Sequence, residues 1–132
     1  MLGNFYAKDI MKTDLQVVYP DDEIKTVIEK LAEYKISGLP VIDENENLVG
    51  VISEKDVINI LLSGNVNNTK VKEIMTKKVV SCDLMAPLEQ VSMIIAHNNF
   101  RRVPITDKGK LVGLISRSDI IDFFYNHFYK NE

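Results

Sequence analysis

The sequence predicts an α+β fold: two β-α-β-β-α repeats packed face to face with pseudo-two-fold symmetry. One observation is self-similarity. Asp9-Ile10-Met11 matches Glu73-Ile74-Met75, and Leu39-Pro40-Val41-Ile42-Asp43 matches Val103-Pro104-Ile105-Thr106-Asp107, both at an offset of 64. Leu48-Val49-Gly50-Val51-Ile52-Ser53 matches Leu111-Val112-Gly113-Leu114-Ile115-Ser116 at an offset of 63. The slip falls in the polar turns Glu44-Asn45-Glu46-Asn47 and Lys108-Gly109-Lys110, where a duplicated fold tolerates a change of length. The second observation is that each copy repeats one order of short apolar runs and helical stripes. The third is size: each copy has only about 60 residues, too few for comfortable independent stability, so the halves are expected to bury their apolar faces against each other. The 132 residues then form a single module, with repeat 1 at about 7–64, a linker at 65–69 and repeat 2 at about 70–128.

The elements follow in order. Ala7 to Met11 reads as a short helical lead-in. Leu15 to Tyr19 reads as a strand stopped by Pro20. Asp21 or Asp22 caps a helix in which Ile24, Val27, Ile28, Leu31 and Ala32 form one apolar stripe. Gly38 is available to close it in a left-handed turn. Leu39–Ile42 and Leu48–Ile52 form a hairpin about Asp43–Asn47, and a helix from Ser53 through Leu62 stops at Gly64. The second half repeats the scheme: a lead-in at Val71–Met75, a strand at Val79–Ser81, a helix from Ala86-Pro87 to about Asn98, hairpin strands at Val103–Ile105 and Leu111–Ile115, and a helix from Ser116 to about Phe128. That last helix carries Ile120, Ile121, Phe123, Phe124, Tyr125, Phe128 and Tyr129, more apolar surface than one stripe needs. Two readings stand: a helix wedged in the core, or a dimer face.

Composition narrows the function. Hydrophobic residues make up 45% of the chain, enough for a buried core, and the formal net charge of −3 argues against a nucleic-acid groove binder. No apolar run approaches the roughly 18 residues of a membrane span. The N-terminus lacks a signal-peptide layout. Cys82 is the only cysteine, so no intrachain disulfide forms and a reducing cytoplasm is the simplest compartment.

The repeated Gly-x-x-Ser-x-x-Asp stretches, Gly50 to Asp56 and Gly113 to Asp119, carry the chemistry. An ionised carboxylate has only acceptors, so Asp56 and Asp119 suit the paired hydroxyls of a ribose. Ser53 and Ser116 stand where a strand becomes a helix, and free N–H groups there favour phosphate. Gly50 and Gly113 permit close approach of a ligand. Ser-x-x-Asp is equally a variant of the capping box, which satisfies helix-end amides reciprocally. A capped helix still offers its remaining donors, so both readings stand.

These residues resemble a known family. The Met of each lead-in, the Leu-Pro-Val-Ile-Asp and Val-Pro-Ile-Thr-Asp strands and the two Gly-x-x-Ser-x-x-Asp stretches are similar to a tandem pair of cystathionine-β-synthase (CBS) domains, the Bateman module, over about Ala7 to Phe128. The resemblance implies a regulatory sensor of an adenosine ligand: AMP, ADP, ATP or S-adenosylmethionine, bound in a cleft between the two motifs. It implies a homodimer and a regulated protein partner that the sequence does not name. In the family a basic residue at the position of Arg102 reaches the phosphate, and the Asp of one motif faces the pre-proline loop of the other. By that implication one cleft combines Ser53 and Asp56 with Val80, Phe100, Arg101 and Arg102. The other combines Ser116 and Asp119 with Val18, Ile36, Ser37 and Gly38, without a cation in its pre-proline loop. The Arg-containing cleft is therefore expected to bind phosphorylated adenosine more tightly. Val18, Val80, Ile36 and Phe100 flank the adenine or are plain core.

Nothing in the sequence forms a catalytic constellation. His97 and His127 lack metal-ligand spacing and read as helix-surface residues. Cys82 reads as a strand-end packing residue, and neither Gly-x-x-x-x-Gly-Lys-Ser/Thr nor Gly-x-Gly-x-x-Gly occurs. The expectation is a ligand-binding module and not an enzyme, with no metal, no nucleic acid and no membrane. Its rivals are a dimerising scaffold with empty clefts, and an enzyme or nucleic-acid binder of unrecognised type.

Overall fold

The structure, a computed structural model, describes residues 2–98 and 100–130. The elements run α1 (Ala7–Ile10), α2 (Ile24–Tyr34), β1 (Gly38–Ile42), β2 (Leu48–Ser53), α3 (Glu54–Ser63), a 3-10 turn (Val66–Asn68), α4 (Val71–Ile74), β3 (Cys82–Asp83), α5 (Leu88–Asn98), β4 (Arg102–Asp107), β5 (Lys110–Ser116) and α6 (Arg117–Phe124), which continues as a π turn (Tyr125–Tyr129). They form two compact units. One is Gln16–Val79; the other joins the residues up to Leu15 to those from Val80 onward.

The units do not coincide with the sequence repeats, because the lead-in helices are exchanged. Ala7 of α1 is fully buried with Val91, Val103, Ile105 and Ile115 of the second repeat. Val71 of α4 is fully buried with Val18, Ile24, Val41 and Ile52 of the first. Backbone hydrogen bonds fix each exchange. Ala7 N–H donates to Ala86 O (2.9 Å) and Lys8 N–H to Leu84 O (2.9 Å); Val71 N–H donates to Asp22 O (3.0 Å) and Lys72 N–H to Pro20 O (2.9 Å). Lys72 Nζ also reaches the exposed Asp21 Oδ1 at 2.9 Å.

Each unit is built on an antiparallel hairpin. β1 pairs with β2 from Gly38 opposite Ser53 to Ile42 opposite Leu48. β4 pairs with β5 from Arg102 opposite Ser116 to Asp107 opposite Lys110, and β3 adds to β4 in parallel. One face of each hairpin is covered by helices, so Leu39, Val41 and Ile52, like Val103, Ile105 and Ile115, are buried.

Several sequence expectations need correction. Leu15–Tyr19 is not a strand; Val18 alone bridges Val41. The ladder stops there because Tyr19 N–H donates instead to Asp22 Oδ2 at 2.8 Å, and Pro20 has no N–H to give. The strand expected at Val79–Ser81 begins three residues later, at Cys82–Asp83, where the parallel partners Ile105 and Thr106 stand. Helix α2 has Glu23, not Asp21 or Asp22, at its N-cap position, with no capping bond from that side chain, and closes at Lys35 in the left-handed conformation (φ 56°), not at Gly38. Gly38 opens β1 instead, where an added Cβ would lie 3.3 Å from Ile52 O. Gly64 does cap α3 with φ 79°. The last helix is α-helical only to Phe124, and none of its residues is buried, so it is no core wedge.

Candidate ligand site

The strand-to-helix corners at Ser53 and Ser116 have the same construction. Ser53 N–H donates to Asp56 Oδ2 (2.9 Å), Ser53 Oγ donates to the same oxygen (3.0 Å), and Asp56 N–H donates to Ser53 Oγ (3.3 Å). Ser116 N–H donates to Asp119 Oδ2 (2.8 Å), and Asp119 N–H donates to Ser116 Oγ (3.1 Å). Ser116 Oγ is also hydrogen-bonded to Ser118 Oγ at 3.0 Å. Both stretches are capping boxes. Each box uses the carboxylate's Oδ2, so Oδ1 remains available for a second function. At Asp119 that oxygen lies 3.9 Å from Lys12 Nζ.

The pre-proline loops pack on the corner of their own unit. Glu54 N–H donates to Ser37 O (2.9 Å), and Gly38 pairs with Ser53. Correspondingly, Arg117 N–H donates to Arg101 O (3.1 Å), Arg117 Nε donates to Phe100 O (3.1 Å), and Arg102 pairs with Ser116. The first-repeat corner thus groups Ser53, Asp56, Ile36, Ser37 and Gly38. The second groups Ser116, Asp119, Phe100, Arg101 and Arg102, with Arg117 adding a third guanidinium where the first has Glu54.

The apolar candidates separate by burial. Val18 is fully buried in the core of its unit, in one cluster with Leu39 and Val41 of the hairpin and Val27 of α2, and presents no surface to a ligand. Its expected place beside an adenine is therefore corrected to a core position. Ile36 is half-buried against the same cluster and Phe100 is half-buried, whereas Val80 is 45% exposed. Cys82 stands at the repeat offset from Val18 and is likewise buried; burial pushes its thiol above the ordinary value of 9.0.

The room for a ligand expected from sequence at Gly50 and Gly113 is not there; methionines fill it. A Cβ on Gly50 would lie 2.7 Å from Met75 Sδ, and one on Gly113 would lie 2.5 Å from Met11 Sδ. The residues after the methionines seal the outer edges of the hairpins. Thr76 exchanges two hydrogen bonds with Val51 (2.8 and 3.0 Å), and Lys12 exchanges two with Leu114 (2.9 and 3.0 Å).

A cavity of about 320 Å³ opens beside Asp56, lined also by Asn59, Ile60 and Ile74. That volume is at the lower end of small-molecule sites. Sequence reasoning missed Asn59 and Ile60, although a spacing of three and four residues after Asp56 puts them on the same helix face. Ile74 arrives through the lead-in exchange. Among the described residues no group of three or more His, Cys, Asp or Glu side chains could hold a metal ion, and no helix is long and apolar enough to cross a membrane.

The family model of the CBS domain matches residues 7–63 and 71–126. The chloroplastic CBS domain-containing protein CBSX1 of Arabidopsis thaliana is 33% identical, over 91% of this chain and 62% of that protein. The uncharacterised protein MJ1426 of Methanocaldococcus jannaschii is 29% identical, over 87% of this chain and 88% of that protein. Other relatives are longer: the chain spans 23% of the inosine-5′-monophosphate dehydrogenase of the same organism. Among solved structures, CBSX2 in complex with AMP superposes with a TM-score of 0.83 at 31% identity, covering 93% of this chain and 98% of that one. The CBS domain pair of protein MJ0100, in complex with 5′-methylthioadenosine and S-adenosyl-L-methionine, gives 0.77 at 27% identity, covering 92% and 97%.

Proposed function

Since the chain belongs to the CBS-domain family and carries two copies of the domain in the CBS-pair fold, we propose that it is a regulatory module that binds an adenine nucleotide and catalyses no reaction. The ribose hydroxyls are received by Asp56 and Asp119. Phosphate is met at one corner by Arg101, Arg102 and the Ser116 hydroxyl, and at the other by the Ser53 hydroxyl. Ile36 in one unit, and Val80 and Phe100 in the other, are the apolar side chains offered to adenine, with Ser37 and Gly38 as the uncharged counterpart of the arginine pair. The observation that carries this reading is the division of labour within each carboxylate: Oδ2 holds the helix corner and Oδ1 is left over at two equivalent corners. A carboxylate that served the fold alone would work at any helix start; here both corners have a pre-proline loop packed on them.

AMP bound to CBSX2 supports a nucleotide, and the three guanidinium groups around Ser116 favour a phosphorylated ligand over the cationic S-adenosylmethionine. The module acts as a homodimer in the cytoplasm, signalling to a protein partner by a ligand-dependent shift between conformations. Exposed apolar side chains at equivalent positions of α3 and of α6 with its π turn support the dimer: Ile58 (55%) and Ile121 (67%), Leu62 (82%) and Tyr125 (57%).

Native mass spectrometry of freshly purified protein, followed by calorimetry with AMP, ADP, ATP and S-adenosylmethionine, tests the proposal. The expected result is a dimer mass and saturable binding of a phosphorylated ligand. No binding heat and no thermal shift with any of the four would leave a scaffold that binds no adenosine compound.

A further inference from the structure

The two repeats differ beside their equivalent carboxylates. Asp119 is fixed: its side chain is only 10% exposed, Oδ2 is held by Ser116 N–H, and Oδ1 is 3.9 Å from Lys12 Nζ. Lys12 is anchored at its base by the paired hydrogen bonds to Leu114, but its side chain is 71% exposed, so the ammonium is the partner that can move. The equivalent position in the other unit is Thr76, anchored to Val51 in the same way, and it brings no charge to the corner that ends in Asp56.

We propose that Lys12 is a specificity-determining residue of the Asp119 corner, selecting adenosine ligands that carry an anionic group and disfavouring neutral or cationic ones. The inference rests on the adenosine-ligand reading above. A ribose donating to Asp119 uses Oδ1 and so takes the place of the ammonium. A neutral nucleoside leaves that ammonium without a counter-ion. A phosphorylated one supplies a new one within reach of a flexible four-carbon stem with three donors. An exposed pair at this separation is weak, so breaking it costs little, and the selectivity comes from what the ammonium meets next. Asp56, with Thr76 in place of the lysine, exerts no such selection from its own unit.

Calorimetry on the full chain with AMP and with adenosine tests this. In Lys12→Thr, which copies the other repeat, the ratio of AMP to adenosine affinity at one class of site falls by about tenfold, the scale of a hydrogen bond to a charged group. Lys12→Arg keeps the ratio, and Thr76→Lys raises it at the other class. Melting temperatures of the Lys12 variants separate loss of preference from loss of fold; if Lys12→Thr melts early, Lys12→Met, which keeps the aliphatic stem, replaces it. Wild-type binding of AMP with an unchanged ratio in Lys12→Thr or Lys12→Met overturns the role of Lys12 alone. Wild-type binding of neither compound overturns the nucleotide reading itself, and this inference with it.

Discussion

Met11 occupies the space that a side chain on Gly113 would need: a Cβ there would meet Met11 Sδ at 2.5 Å, Cγ at 2.7 Å and Cβ at 2.9 Å. Gly113→Ala is therefore expected to destabilise the protein by about 1–3 kcal/mol, the usual cost of overpacking. All three nearest atoms belong to Met11, so Met11→Ala should relieve the clash, and the double variant should lose less than the two single ones together. Urea unfolding of the four proteins measures the coupling; strict additivity would contradict the packing described. The rescue should be weaker for Gly50→Ala with Met75→Ala, because the Thr76 carbonyl oxygen also lies 3.0 Å from the added carbon.

Ser53 and Asp56 can be separated into fold and function. Ser53→Ala removes the acceptor for Asp56 N–H and should lower stability by about 0.5–2 kcal/mol. Asp56→Asn keeps an oxygen for the Ser53 amide but loses the acceptor-only carboxylate, so it should lower nucleotide affinity with a smaller loss of stability. Paired denaturation and calorimetry read both quantities. Equal loss of stability with unaltered affinity would reduce the box to a helix cap.

Arg102→Ala should weaken AMP binding by about 1.5–3 kcal/mol, the range for hydrogen bonds to charged groups. Lysine in its place should recover only part, since an ammonium lacks the planar fork that grips two phosphate oxygens. Unchanged AMP affinity in calorimetry would remove Arg102 from the site.

Cys82 gives the fold an alkaline limit. Burial holds its thiol above the ordinary value of 9.0, so the native state keeps the proton longer than the unfolded chain does. The contribution is whole below pH 9.0, declines once the unfolded thiol ionises, and is lost as pH rises through the higher native value. Stability of the wild type measured from pH 8 to pH 10.5 should therefore fall more steeply than that of Cys82→Ala. Parallel curves would show that the thiol is not shielded.

The repeat, the hairpins and the capping boxes were legible because each leaves a local trace: matched residues, apolar runs about a polar turn, and Ser three residues before Asp. Val18 and Cys82 were harder. Each pairs with its hairpin over one or two residues, too few to show a period, so the apolar pairs Val17-Val18 and Val79-Val80 drew the strands to the wrong place. Their offset of 64 would have matched Val18 with Cys82 and marked both as core. Lys35 took the left-handed cap although glycine stood three residues away, because α2 ended before Gly38 was reached. The glycines of the repeated stretch looked open from sequence, since nothing local reveals that a methionine from the other repeat lies on them.

That borrowed methionine changes where damage is felt. An alteration among the first dozen residues, which contribute no Ser-x-x-Asp stretch of their own, will disturb the corner nearest the opposite terminus and leave the adjacent copy intact. Chemical-shift changes on substituting Met11 should thus cluster around Gly113 and Ser116 and spare Gly50 and Ser53, so linear proximity is the wrong guide to which half of this polypeptide a lesion will impair.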